Sequence, residues 1–161
     1  MAHEINIPDN LKKEEKYSVL RSALSSLISD ETDIIAILSN VSSAIQETFN
    51  FLWVGFYLVK NKELVLGPFQ GPVACFRIKF GQGVCGASWK SNKSIIVPDV
   101  NKFPGHIACS SMSKSEIVIP IRKENEVFAI LDVDSSNYND FGEVDKKNLN
   151  KIVNLIEDKL I

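Results

Sequence analysis

No basic stripe runs through this 161-residue chain. Lysine and arginine number 18 against 20 aspartates and glutamates, for a net charge of −2. Nothing here gathers a polyanion, so nucleic acid is excluded as a partner. No apolar run approaches the ~20 residues that cross a bilayer, which excludes a helical membrane anchor. The opening Met1-Ala-His-Glu-Ile-Asn6 lacks a basic segment followed by an apolar one. No export leader is therefore expected, and the expected location is cytoplasmic. Repeats and low-complexity tracts are absent, and 18.0 kDa suits one domain with a sizeable core. Cysteine is scarce, at 75, 85 and 109, and never occurs as a C-x-x-C pair. The spacings match no standard zinc module, so no metal site is expected. In a reducing compartment, three thiols point to catalysis or redox chemistry rather than to a structural staple.

Apolar spacing outlines the elements. Residues 11–29 place Tyr17, Leu20, Leu24, Leu27 and Ile28 at helical intervals. A second helix is expected from Asp30-Glu31, with Ile34, Leu38, Val41 and Ile45 on one stripe. Phe51–Lys60 reads as a strand that turns at Asn61-Lys62 into Glu63–Gly67. Cys75–Phe80 and Ser94–Val97 read as further strands, with a short helix over Gly83–Ser91 between them. Residues 98–114 are expected to form a long, functional loop. Glu116–Ile121 and Glu126–Asp134 read as a hairpin across Lys123-Glu-Asn125. A helix from Gly142 closes the chain, with Leu149, Ile152, Val153, Ile156 and Leu160 on one face. Helices, then strands, then a helix imply an α+β domain, an antiparallel sheet with helices packed against it.

Alternation within strands predicts which side chains share a face. Trp53 and Tyr57 fall together with Gly55 between them, leaving room for something to approach the sheet; equally, both rings would fill a core. On the last strand Phe128, Ile130, Asp132 and Asp134 are expected on one face, opposite Val127, Ala129, Leu131 and Val133. Glu116 begins the partner strand near the two aspartates. Carboxyls gathered this way raise one another's proton affinity, so one stays protonated as an acid, and the group attracts an ammonium. Alternatively, the aspartates only end the strand and solvate the turn after it. Gly81-Gln-Gly-Val-Cys-Gly86 fits G-x-G-x-x-G, but no βαβ repeat surrounds it and no acid follows about 20 residues on. A tight turn presenting Cys85 at a helix N-terminus, with a lowered thiol pKa, is the better reading. Cys75 would serve as a small core hydrophobe. Cys109 lies in a polar loop, where the amides of Ser110, Ser111 and Met112 would steady a thiolate. His106, three residues earlier, reads as a loop histidine.

Trp53-Val-Gly-Phe-Tyr57, Leu66-Gly-Pro-Phe-Gln-Gly-Pro72, Gly81-Gln-Gly-Val-Cys-Gly86, Val97-Pro-Asp-Val100, His106-Ile-Ala-Cys109 and Leu131-Asp-Val-Asp-Ser135 together resemble the free methionine-(R)-sulfoxide reductases, which are single GAF-type domains. The resemblance runs from about residue 16 to the C-terminus. It implies one domain over 1–161, with 1–15 as an N-terminal extension. It implies Cys109 as the nucleophile toward the sulfoxide sulfur, Cys75 as the resolving thiol and Cys85 as an accessory thiol able to form another disulfide. It further implies Trp53 and Tyr57 as the wall around the substrate methyl group, and Glu116, Asp132 and Asp134 as the acidic cluster. No cofactor is implied, only an external thioredoxin-like or other dithiol reductant, and the assembly implied is a homodimer. A ligand-binding GAF sensor without turnover is the competing reading, since a fold does not decide function.

Overall fold

The computed structural model describes residues 4–160. Met1, Ala2 and His3, where the reading against a leader begins, lie outside the described residues, as does Ile161 at the end of the expected domain. The elements are α1 (Lys13–Leu27), α2 (Ile34–Phe49), β1 (Trp53–Lys60), β2 (Glu63–Gln70), β3 (Arg77–Lys79), α3 (Gly83–Ser91), β4 (Ile95–Val97), a 3-10 turn (Val100–Lys102), β5 (Ser115–Lys123), β6 (Glu126–Ser135) and α4 (Glu143–Glu157). The strands form one six-stranded sheet in the order β3-β2-β1-β6-β5-β4. Every neighbouring pair is antiparallel, giving the expected α+β class.

Period-two alternation divides the sheet into two faces. Val54, Phe56, Leu58, Ile117, Ile119, Leu131 and Val133 pack into the main core with α1, α2 and α4. Each such aliphatic or aromatic side chain removed from water is worth roughly 1.5–3 kcal/mol. Trp53, Tyr57, Val118 and Ile130 point the other way, into a smaller core closed by Val84 and Cys85 of α3. The site grows out of this second face. A hydrogen-bonded pin holds the helix side together. Buried Asp145 on α4 accepts the Tyr17 hydroxyl at 2.8 Å and the Gly142 amide at 2.9 Å, and it pairs with Lys13 at 2.8 Å.

Several local expectations change. Helix α2 starts at Ile34 because the Asp33 carboxylate accepts the Ile35 and Ala36 amides at 2.8 and 3.0 Å, the donors a helix start leaves open. Glu31 instead accepts the amides of Thr32 and Asp33 and shapes the turn before the helix. β2 continues to Gln70, paired with β1 on both sides of a register shift between Gly55 and Tyr57, rather than ending at Gly67. β3 is only three residues long, so Cys75 lies outside it, in the irregular connection before it. The long loop contains a 3-10 turn, because the Asp99 side chain caps the Asn101 amide at 3.0 Å. The β5–β6 hairpin slips register between Ile121 and Arg122. That bulge turns Phe128 toward the helix-side core and Val127 toward the other one, reversing the alternation expected for these two residues.

Candidate active site

Register places the acids. Asp132 and Asp134 stand two apart on β6 and so share a face. Glu116 on β5 lies directly opposite Asp134, and Trp53 on β1 lies opposite it on the other side. Gly55 is opposite Asp132. Above this row sits the first turn of α3. Gly83 begins the helix at φ 60°, and at Gly86 a side-chain carbon would come within 2.6 Å of the Lys79 carbonyl. Glycines here let the helix lie close on β3, which brings Cys85 down onto the carboxyls. The Cys85 Sγ is 4.0 Å from Glu116 Oε1. One donor atom each from Cys85, Glu116 and Asp132 lie within 4.8 Å of one another, a set that would also accept a cation.

Burial sets the electrostatics. Glu116 and Asp132 are only 6% and 7% exposed. Loss of water, then the negative charge of neighbouring acids, pushes both carboxyls well above the usual carboxylate range. Asp132 Oδ1 is buried without a hydrogen-bond partner. Asp134 is less enclosed and accepts the Ser113 hydroxyl at 2.5 Å. Burial raises it only to about 6, and the serine opposes the rise. Asp132 therefore does not merely solvate a turn, and β6 runs on to Ser135. Cys85 does occupy the start of a helix, but its thiol is raised rather than lowered. Burial and the charges of Asp132 and Glu116 outweigh the helix terminus.

Aromatic packing fills the space Gly55 leaves. A side-chain carbon at Gly55 would overlap the Trp53 ring and Phe69. The room expected for an incoming molecule therefore holds the protein's own indole. That ring stacks on Phe69 at 5.3 Å and on Tyr57 at 6.0 Å, and its N–H donates to the Pro72 carbonyl at 3.1 Å. The Tyr57 hydroxyl donates to the Cys75 carbonyl at 3.1 Å. Both rings thereby tie the 72–75 connection to the sheet.

Cys75 and Cys109 form a disulfide, with Cα atoms 5.5 Å apart. Cys85 is a free thiol. Of the three amides expected to steady a thiolate at Cys109, that of Met112 bonds the Ser110 hydroxyl at 3.2 Å. The other seven candidate residues besides Cys75 converge on one cleft: Trp53, Tyr57, Cys85, Cys109, Glu116, Asp132 and Asp134. Sequence reasoning missed Ser113 as the partner of Asp134. It also left His106 without a partner, whereas its Nε2 lies 3.9 Å from Glu116 Oε2. Burial lowers the His106 pKa, so the ring carries less positive charge beside the acids. Nothing in residue spacing signals either contact, because both depend on how the 98–114 loop folds back.

A six-stranded antiparallel sheet with α1, α2 and α4 on one face and, on the other, a cysteine- and acid-lined cleft beneath α3 defines the class: residues 31–160 match the GAF domain family. The chain is 52% identical to GAF domain-containing protein A of Dictyostelium discoideum, covering 98% of this chain and 99% of that one. It is 42% identical to the free methionine-R-sulfoxide reductase of Saccharomyces cerevisiae, over 96% of this chain and 91% of that one. The crystal structure of free methionine-R-sulfoxide reductase from Neisseria meningitidis, in complex with its substrate, superposes with a TM-score of 0.96. It is 40% identical, over 99% and 96% of the two chains. Within the GAF-domain proteins, this chain belongs to the free methionine-(R)-sulfoxide reductase family. Among the described residues no helix is long and apolar enough to cross a membrane.

Proposed function

We propose that this protein reduces free L-methionine-(R)-sulfoxide to methionine, with Cys109 as nucleophile. The observation that carries the reading is a disulfide whose Cys109 end opens on a cleft lined by buried, proton-retaining carboxyls. A sulfoxide oxygen leaves sulfur only once it accepts a proton. The Glu116–Asp132 pair supplies that proton, because burial keeps a proton on it where free carboxylates would have none. The Cys109 thiolate attacks the sulfoxide sulfur, and the oxygen passes to Cys109 as a sulfenic acid while methionine departs. The Cys75 thiol then attacks that sulfenic sulfur, releasing water and closing the disulfide. Two electrons from an external thioredoxin-like dithiol reopen it.

Asp134, more open and raised only to about 6, is ionised at neutral pH and pairs with the substrate ammonium. The stacked Trp53 and Tyr57 rings form the wall for the methyl sulfide end. Cys85 serves as a reserve thiol, held neutral by its surroundings. A cleft walled this way admits a free amino acid and not a polypeptide. No metal or organic cofactor is required. A sensor that only binds leaves the disulfide at the cleft without a role.

The test is to incubate the reduced protein with each methionine sulfoxide epimer and dithiothreitol, and to measure methionine. Turnover of the R epimer alone is expected, and Cys109→Ser abolishes it. Failure of the wild type to form methionine, or full activity in Cys109→Ser, defeats the reading.

A further inference from the structure

The disulfide is asymmetric. Cys109 lines the cleft, whereas Cys75 is not among the residues that do. Thiol–disulfide exchange proceeds by approach of a thiolate to one sulfur, from the side away from the other. Cys109 shares that cleft with Glu116, Asp132 and Asp134. Cys75 is half-buried and lies next to exposed Phe76. The surface there is unusual for this chain. Phe76, next to Cys75, is 81% exposed, Val73, at the edge of the cleft, is 86% exposed, and Met112, three residues from Cys109, is 56% exposed. The disulfide fastens these two segments together. Residues 71–76 and 107–113 contain no Asp, Glu, Lys or Arg. The cations next in sequence are engaged elsewhere: Arg77 pairs with Glu63 at 3.2 Å, and Lys114 lies over the Tyr138 ring at 5.3 Å. The carbonyls of Pro72, Cys75 and Phe76 are held inward by Trp53, Tyr57 and the Leu66 amide. The amides of Val73, Ala74 and Cys75 donate no hydrogen bond among the described residues.

We propose that this uncharged apolar rim is the docking surface for the protein dithiol reductant, and that the reductant's thiolate attacks Cys75 Sγ rather than Cys109. This deepens the reading above and takes from it only that the disulfide is redox-active. The first step forms a bond between the reductant sulfur and Cys75, and it breaks the bond between Cys75 and Cys109. Cys109 leaves as a thiolate inside the cleft, beside the carboxyls, where it next meets substrate. The reductant's second thiol then attacks its own sulfur in the mixed disulfide, releasing Cys75 as a thiolate. The reductant ends as a disulfide, having given two electrons. Unsatisfied amides along 73–75 and exposed apolar side chains suit a partner that binds by main-chain pairing and apolar contact. Charge steering has nothing to grip here.

The test uses the oxidised full chain and a thioredoxin-type protein whose second cysteine is replaced by serine, so that the mixed disulfide is trapped. Peptide mapping is expected to find the partner on Cys75, with Cys109 free; a partner bonded to Cys109 overturns the proposal. Phe76→Ser and Met112→Ser are expected to lower kcat/KM for the intact protein dithiol by about tenfold, as loss of an apolar anchor does. Turnover driven by dithiothreitol is expected to stay unchanged. Equal rates with the protein dithiol overturn the docking assignment. So does a fall of more than about threefold between low and moderate salt, since an uncharged contact is insensitive to screening. Trapping needs no sulfoxide, so failure of the activity reading shows separately, as absence of methionine in the dithiothreitol assay.

Discussion

Asp134→Asn should stabilise the folded protein at neutral pH while weakening substrate binding. The Asp134 carboxyl sits at about 6 in the folded chain against an ordinary 3.8, because burial strips water from its charged form and Ser113 only partly compensates. That difference is worth about 3 kcal/mol against the ionised folded state. Asp134 is half-buried rather than sealed, so solvent screening reduces the expected effect to about 1–3 kcal/mol. The asparagine keeps a carbonyl oxygen for the Ser113 hydroxyl. A raised folded-state pKa means the folded protein holds this proton more tightly than the unfolded chain. Below pH 3.8 both states are protonated, and wild type and variant are equal. Between 3.8 and about 6 the wild type loses stability relative to the variant, and above 6 the gap is complete. For a chain of this size about 1 kcal/mol moves Tm by roughly 2–4 °C. Thermal unfolding of both oxidised proteins from pH 4 to 8 should show the variant about 2–12 °C higher at pH 7.5, and within about 2 °C at pH 4. Equal Tm at pH 7.5, or a gap that widens toward pH 4, would refute the assignment of the cost to a buried charge.

Two further outcomes follow from the same geometry. Glu116→Gln removes an acid held protonated beside Asp132, and kcat should fall by about 10²–10⁴ with the substrate KM little changed. A wild-type kcat in that variant would take Glu116 out of proton delivery. In Gly55→Ala the added methyl displaces the Trp53 ring from between Phe69 and Tyr57, so KM for the sulfoxide should rise at least about tenfold while the disulfide still forms. Unchanged KM, read in steady-state methionine production, would show that the indole is not part of the substrate wall.

Much of the fold can be read directly along the chain. The helical stripes of Leu20, Leu24, Leu149 and Ile152 and the alternation of Val54, Phe56 and Leu58 mark a sheet with helices on one side, because apolar burial dominates the choice of face. Misreadings cluster where one side chain overrides that pattern. Asp33 moves the start of a helix by satisfying its first amides. A slipped register at Ile121/Arg122 reverses Phe128. At the site, the placement of Asp132 with Asp134, and of Trp53 with Tyr57, followed from strand alternation, while the β1–β6 register brought Trp53 opposite Asp134. Cys85 was placed correctly at a helix start, yet its thiol shifts the opposite way, since the acids beneath it come from strands more than 30 residues away.

What the order of residues determines by itself is periodic: which side chains share a face, where the turns fall, and that Glu116 begins a strand beside the one that carries Asp132 and Asp134. Only the folded chain decides how much water each of them keeps and what stands opposite. Two carboxyls are pushed well above the usual carboxylate range because strands β5 and β6 bring them together under α3, out of solvent. Cys75 rather than Cys85 bonds Cys109 because the folded backbone brings those two Cα atoms to 5.5 Å. Desolvation and distance belong to the assembled environment of an atom, and no local stretch of sequence contains that environment.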